Sequence, residues 1–175
     1  MKRKWLLASA CCALLFTLTG CGKTVEEQID TGVASAQTVF EENPQQPNKT
    51  IGKIELYVPS GYDVKESEDL NNLIITQGEE SYILFVNYQE KEDSNLQYEL
   101  LKNDSSKKII KEETVEFDGA FGFSAVLDYD EEQFELIVSS GGVKMSTISE
   151  DENIDQKLVD MMTIVRSVKV LEEKE

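Results

Sequence analysis

Four consecutive strand-like runs, joined by short reversals, constrain this chain more than any other feature. Lys108 to Phe117 ends at Asp118-Gly119, a dipeptide suited to a tight hairpin. Ala120 to Tyr129 follows, with Phe121, Phe123, Ala125 and Leu127 on one parity and the small Gly122 and Ser124 between them. That pattern predicts a half-buried strand whose small outward residues admit a close neighbour. Asp130-Glu131-Glu132 reverses the chain into Phe134 to Val138, and Ser140-Gly141-Gly142 reverses it into Val143 to Ile148. Joints this short leave no room for helical crossovers, so the run reads as an antiparallel meander.

The flanking segments supply partners for that sheet. Ile54, Leu56 and Val58 alternate along a strand that Pro59-Ser60-Gly61 breaks, and Leu73 to Thr76 pairs with Ser81 to Tyr88 across an acidic turn. Leu96, Leu100 and Leu101 predict a helix over Ser94 to Asn103. Ile154, Leu158, Met161, Met162 and Val165 predict a second one, with Asp151, Glu152 and Asp155 near its positive end. Ser167 to Leu171 then reads as an edge strand. The expected unit is a single α+β domain over residues 51–171, an antiparallel sheet packed with two or more helices, before a charged tail at 172–175.

The N-terminus has a different logic. Lys2, Arg3 and Lys4 favour the cytosolic side, and the mostly apolar stretch from Trp5 to Thr19 suits an export signal while falling short of the roughly 20 residues of a spanning helix. An ordinary cleaved signal or a short buried helix would share those two properties. Leu18, Thr19, Gly20 and Cys21, however, resemble the bacterial lipobox without a departure. That resemblance implies removal of residues 1–20, with Leu18, Thr19 and Gly20 recognised by a signal peptidase and Cys21 acylated as the new N-terminus. Residues 21–50 then read as a lipidated terminus and flexible tether. The weak helical pattern of Thr24 to Phe40 is broken by Pro44 and Pro47 before the folded domain. A partner-binding helix with Val25, Ile29, Val33 and Phe40 on one side is the alternative there.

Loss of the leader changes both thiol chemistry and charge. Cys11 and Cys12 leave with it and Cys21 becomes a thioether, so no disulfide supports the domain. The 17 basic and 34 acidic residues become 14 and 34, a formal charge of −20. Such a surface argues against nucleic acid and is compatible with an envelope protein, a peptide or a cationic ligand. Solvation of the surface explains the same charge without a partner.

Taken together, KIELYVPSGYDV, GAFGFSAVLDY, FELIVSSGGVKMSTIS and LVDMMTIVRSVKV resemble the Mog1/PsbP-like α/β sandwich over most of residues 51–171. The resemblance implies a sheet with helices and carries no functional residue onto this chain.

Reactive groups are sparse. The chain has no histidine, which excludes a Ser-His-Asp triad and histidine-bound zinc. Ser139-Ser140-Gly141-Gly142 reads as a hairpin joint, not a nucleophile. Asp128, Asp130, Glu131 and Glu132 form the densest carboxylate cluster, but Gln133 stands where an EF-hand loop needs glycine and Ser139 where it needs a bidentate glutamate. No catalytic residue, metal ligand or cofactor is assigned. Of the tyrosines and phenylalanines that can line a groove (Tyr57, Tyr62, Tyr82, Tyr88, Phe121, Phe123, Tyr129), Tyr62 and Tyr88 lie beside turns and are the candidate ligand contacts. The functional expectation is an outward-facing, membrane-anchored protein with a noncatalytic binding or accessory role. A carboxylate-dependent envelope hydrolase and a calcium-stabilised structural protein are the alternatives.

Overall fold

The computed structural model describes residues 22–171. Leu18, Thr19, Gly20 and Cys21, the rest of the leader and the tail at 172–175 lie outside the described residues. In chain order the elements are α1 (Val25–Glu41), β1 (Lys49–Ile51), β2 (Ile54–Leu56), β3 (Tyr62–Glu66), β4 (Asn72–Gln77), β5 (Glu80–Val86), α2 (Leu96–Asn103), β6 (Lys108–Phe117), β7 (Ala120–Asp130), β8 (Gln133–Ser140), β9 (Val143–Glu150), α3 (Ile154–Ser167) and β10 (Lys169–Val170).

Seven strands make one antiparallel sheet in the order β3-β4-β5-β9-β8-β7-β6, and a small second sheet runs β1-β2-β10. The meander is β6 to β9, each strand paired with its successor. Asp118 and Gly119 both take positive φ, 51° and 80°, as a type I′ turn requires. Helices α1 and α3 bury the main core against one face of the sheet. On the other face α2 covers Phe123, Ala125, Leu127 and Ile137 through Leu101. The chain is thus an α+β protein built on an antiparallel sheet with helices packed on it.

The expected tether is the main correction. Within residues 22–50, α1 is a 17-residue helix opened by a full capping box: Thr24 accepts from the Glu27 amide while Glu27 accepts from the Thr24 amide. Ile29, Val33, Ala36 and Phe40 form a stripe at helical spacing, and all are buried in the main core. Two members of the buried face, Gly32 and Ala36, are too small to register as hydrophobic signal, which is why the periodicity looks broken. The helix also completes α3. Asn153, at φ 58°, offers no side-chain cap, and Gln28 of α1 instead accepts from the Ile154 amide at 3.1 Å and donates to the Asp151 carbonyl at 3.1 Å.

The two helices meet where Gly32 lies against α3. A Cβ there would stand 2.7 Å from the Asp155 Cα and 2.8 Å from Leu158 Cδ1. Alanine gains up to about 1 kcal/mol of helix propensity, whereas overpacking costs about 1–3 kcal/mol. Because the obstructing atom is backbone, the steric cost should win. Gly32→Ala should lower the melting temperature by a few degrees, at about 2–4 °C per kcal/mol; a higher melting temperature would mean that the helices stand further apart.

Strand β7 is the second correction, because both of its faces are buried. The aromatic parity lies under α2, and Gly122 and Ser124, expected to face outward, face the helix layer. A Cβ on Gly122 would meet the Phe40 ring at 2.2 Å, so the small residues do admit a close neighbour, but it is α1. Strand β3 has no counterpart in the sequence reading, since Val64 alone supplies its buried apolar signal.

Candidate functional site

Strands β5 and β9 are paired only from Ile83 to Val86 and from Val143 to Ser146, although each continues along its other neighbour. Beyond that point they part, and the Thr147 hydroxyl spans the gap to the Ser81 carbonyl at 2.8 Å. From the helix layer Lys157 reaches into the fork, pairs with Glu80 at 2.5 Å and donates to Ser149 Oγ at 2.8 Å. A cleft of about 780 Å³ opens there, lined by Ile83, Ile148, Glu79, Glu135, Glu150 and Glu152 as well as by Glu80. Beside it the β4, β5 and β9 part of the sheet face lies beyond the cover of α2, leaving Ile74, Ile83 and Ile148 exposed.

The fork continues into the core as a polar chain. Tyr82 donates to Glu80 at 2.6 Å, its ring lies 5.9 Å from that of Tyr62, and Tyr62 donates to Asp160 of α3 at 3.0 Å. Burial raises both phenols above the ordinary tyrosine value, helped by Asp160 at Tyr62 and by Glu80 at Tyr82. An unfolded tyrosine ionises near pH ~10. The folded domain therefore keeps protons that the unfolded chain gives up, so this contribution to stability is full below about pH 10 and is lost as pH rises above it. Melting temperature should fall across that range together with the appearance of tyrosinate absorbance. In a Tyr62→Phe/Tyr82→Phe variant the alkaline fall should be shallower; an equally steep fall would place its origin elsewhere.

The serines and several of the carboxylates are held in contacts within the fold. Ser149 and Lys157 are adjacent, but Ser149 is buried, donates to the Glu150 carbonyl at 2.8 Å and accepts from a lysine already paired with Glu80. Ser139 is buried too and donates to the Val143 carbonyl at 2.9 Å. Three carboxylates of the two sequence clusters make local contacts. Asp128 pairs with Lys108 at 2.5 Å, and Asp130 accepts the Glu131 amide at 2.8 Å. Asp155 pairs with Lys23 at 2.5 Å, which holds its carboxyl below the usual range. Among the described residues no group of three or more carboxylates or thiols is placed to hold a metal ion, and no helix is long and apolar enough to cross a membrane.

Tyr62 and Tyr88 do not share a groove. Tyr62 is half-buried in the polar chain, beside Gln77 and hence at the Glu80 end of the β4–β5 hairpin. Tyr88 lies beyond the other end of β5, which stops at Val86, and its hydroxyl donates to the Leu70 carbonyl at 3.3 Å. The seven residues of β5 put about 20 Å between them. Tyr82 and Phe123 are core residues, and Phe121 packs against Tyr98 of α2. Tyr88 does line a groove of about 630 Å³ between the small sheet and the β3–β4 loop, with Ile51, Leu70, Val170 and Leu171. Leu70 is 88% exposed there, and Tyr88, Val170 and Leu171 are also exposed.

Sequence reasoning missed Lys157 and Glu80. The signal was present: Lys157 falls three residues after Ile154 and four before Met161, on the apolar stripe of α3, where a lysine needs a buried partner.

No family model matches the sequence, and no curated protein matches it. The fold is similar to the solution structure of cyanobacterial PsbP (CyanoP) from Synechocystis sp. PCC 6803, at 14% identity and a TM-score of 0.45, over 67% of this chain and 86% of that one. The α+β class follows from the antiparallel sheets and the three helices packed with them.

Proposed function

We propose that this chain is an outward-facing lipoprotein of a bacterial membrane, anchored by acylated Cys21, with a noncatalytic binding or accessory role. The observation that supports the role is the groove beside Tyr88. Its volume falls in the range of about 300–1,000 Å³ common to binding pockets, and Leu70, Tyr88, Val170 and Leu171 expose apolar surface in it beside the exposed, charged Lys53, Glu66 and Asp69. Among the compatible partners, an envelope protein or peptide that inserts an apolar side chain fits this lining better than a cationic ligand.

Capture from solubilised membranes tests the reading with wild type, Leu70→Ser and Tyr88→Ala side by side. A saturable polypeptide partner should be retained by wild type and lost with either groove variant, while the variants keep the wild-type melting temperature. Equal retention by all three, or none by wild type, would remove the groove from the account.

A carboxylate-dependent hydrolase is favoured by one observation, the glutamates that line a single cleft at the β5–β9 fork. Glu80 is tied to Lys157 and Glu135 to Lys107, which leaves Glu79, Glu150 and Glu152, and of these Glu150 and Glu152 are the first to change. Turnover of an envelope polymer abolished by Glu150→Gln or Glu152→Gln, with stability intact, would replace the binding role.

A further inference from the structure

Helices α1 and α3 run parallel: Gln28 in the first turn of α1 meets Ile154 at the start of α3, Gly32 lies against Asp155 and Leu158 one turn further on, and the Phe40 ring lies 4.3 Å from the Arg166 guanidinium near their ends. Both N-termini therefore sit at one pole of the domain. The strand register brings the β7–β8 turn and the end of β9 to the same pole, through Asp130 opposite Gln133 and Gln133 opposite Glu150. The groove of Leu70, Tyr88 and Leu171 belongs to the other pole, where β10 follows the end of α3. The fourteen residues of α3 alone separate the poles by about 21 Å.

The chain is fixed to the first pole from its earliest described residues. Lys23 pairs with Asp155, and Thr24 caps α1. Cys21 is outside the described residues and immediately precedes Gly22 in the sequence. An acyl chain on Cys21 would thus be attached almost directly to the folded domain, with no spacer to let it turn.

From this we infer that the pole carrying the α1 and α3 N-termini is the membrane-facing surface, and that the Tyr88 groove points away from the bilayer toward the aqueous side. The inference rests on the Cys21 anchor of the preceding reading. It also names the lipid surface that fits. The pole presents Glu26, Asp130, Glu131, Glu132, Asp151 and Glu152, so it faces zwitterionic headgroups without penalty and is repelled by anionic ones, an effect that salt screens.

The test uses the full acylated protein extracted from membranes and reconstituted into vesicles. Beyond the leader Cys21 is the chain's sole cysteine, so a thiol label on Glu131→Cys or on Glu68→Cys reports one place; both positions are exposed. In phosphatidylcholine vesicles containing an acceptor-labelled headgroup, energy transfer should be strong from Glu131→Cys and weak from Glu68→Cys. A flexible Gly/Ser insertion between Gly22 and Lys23 should erase the difference. In phosphatidylglycerol vesicles at low salt, transfer from Glu131→Cys should fall and then recover as salt is added. Equal transfer from both sites in vesicle-bound protein, a difference that survives the insertion, or indifference to headgroup charge would each overturn the orientation while leaving the anchor intact. A native protein without lipid on Cys21 would overturn both.

Discussion

A fragment limited to residues 42–171 should fail to fold. It contains the whole seven-stranded sheet, α2 and α3, and a domain beginning at residue 51 would lose nothing by the cut. The structure instead places Ile29, Val33, Ala36 and Phe40 in the main core, between α3 and the β6–β7 part of the sheet. Burial of each of the three large side chains is worth about 1.5–3 kcal/mol. Their loss together approaches the net stability of about 5–15 kcal/mol that a domain possesses. The cut also bares Leu158 of α3, against which Gly32 packs, and removes the Gln28 cap from its first turn. The expected fragment lacks a cooperative melting transition and gives collapsed amide proton dispersion, whereas residues 22–171 melt cooperatively. A fragment that melts within a few degrees of the longer chain would return α1 to the role of a tether.

Phe40→Ala should be the most damaging single truncation within α1. The ring is fully buried, fills the space left by Gly122 on β7, and lies under the Arg166 guanidinium. Removing such a side chain costs about 3–5 kcal/mol, with the cavity contributing beyond the lost transfer energy. The cation–π contact adds about 0.5–2 kcal/mol according to how far the pair is desolvated. It matters here because Arg166 Nε is buried with no hydrogen-bond partner among the described residues. At about 2–4 °C per kcal/mol the melting temperature should fall by roughly 10 °C or more. Phe40→Leu, which keeps most of the volume, should recover over half of that. A Phe40→Ala protein melting like wild type would mean that α1 does not close the core at this end.

The meander was legible because its strands are short apolar-rich runs bounded by turn residues, and α3 because five large apolar residues mark one face. Strand β3 was hidden because its burial rests on one valine. The role of α1 was hidden because close helix packing selects Gly32 and Ala36, which contribute little hydropathy while allowing the approach that buries their larger neighbours. Tyr88 lines a groove at one end of β5, and Tyr62 lies at the other end of the β4–β5 hairpin. Proximity to a turn told that both lay near strand ends without telling that the ends were opposite ones. The Lys157–Glu80 pair joins residues 77 positions apart in sequence, and only the fork between β5 and β9 brings them together.

The proposed location of the domain and its proposed direction both rest on acylation of Cys21. Intact and tryptic masses of the membrane-extracted native protein, beside a Cys21→Ala form, address it directly. The account predicts a mature chain beginning at a diacylated Cys21 in the wild type, and loss of both lipid and membrane retention in the variant. An unmodified chain with its leader retained, or cut at another position, would contradict it.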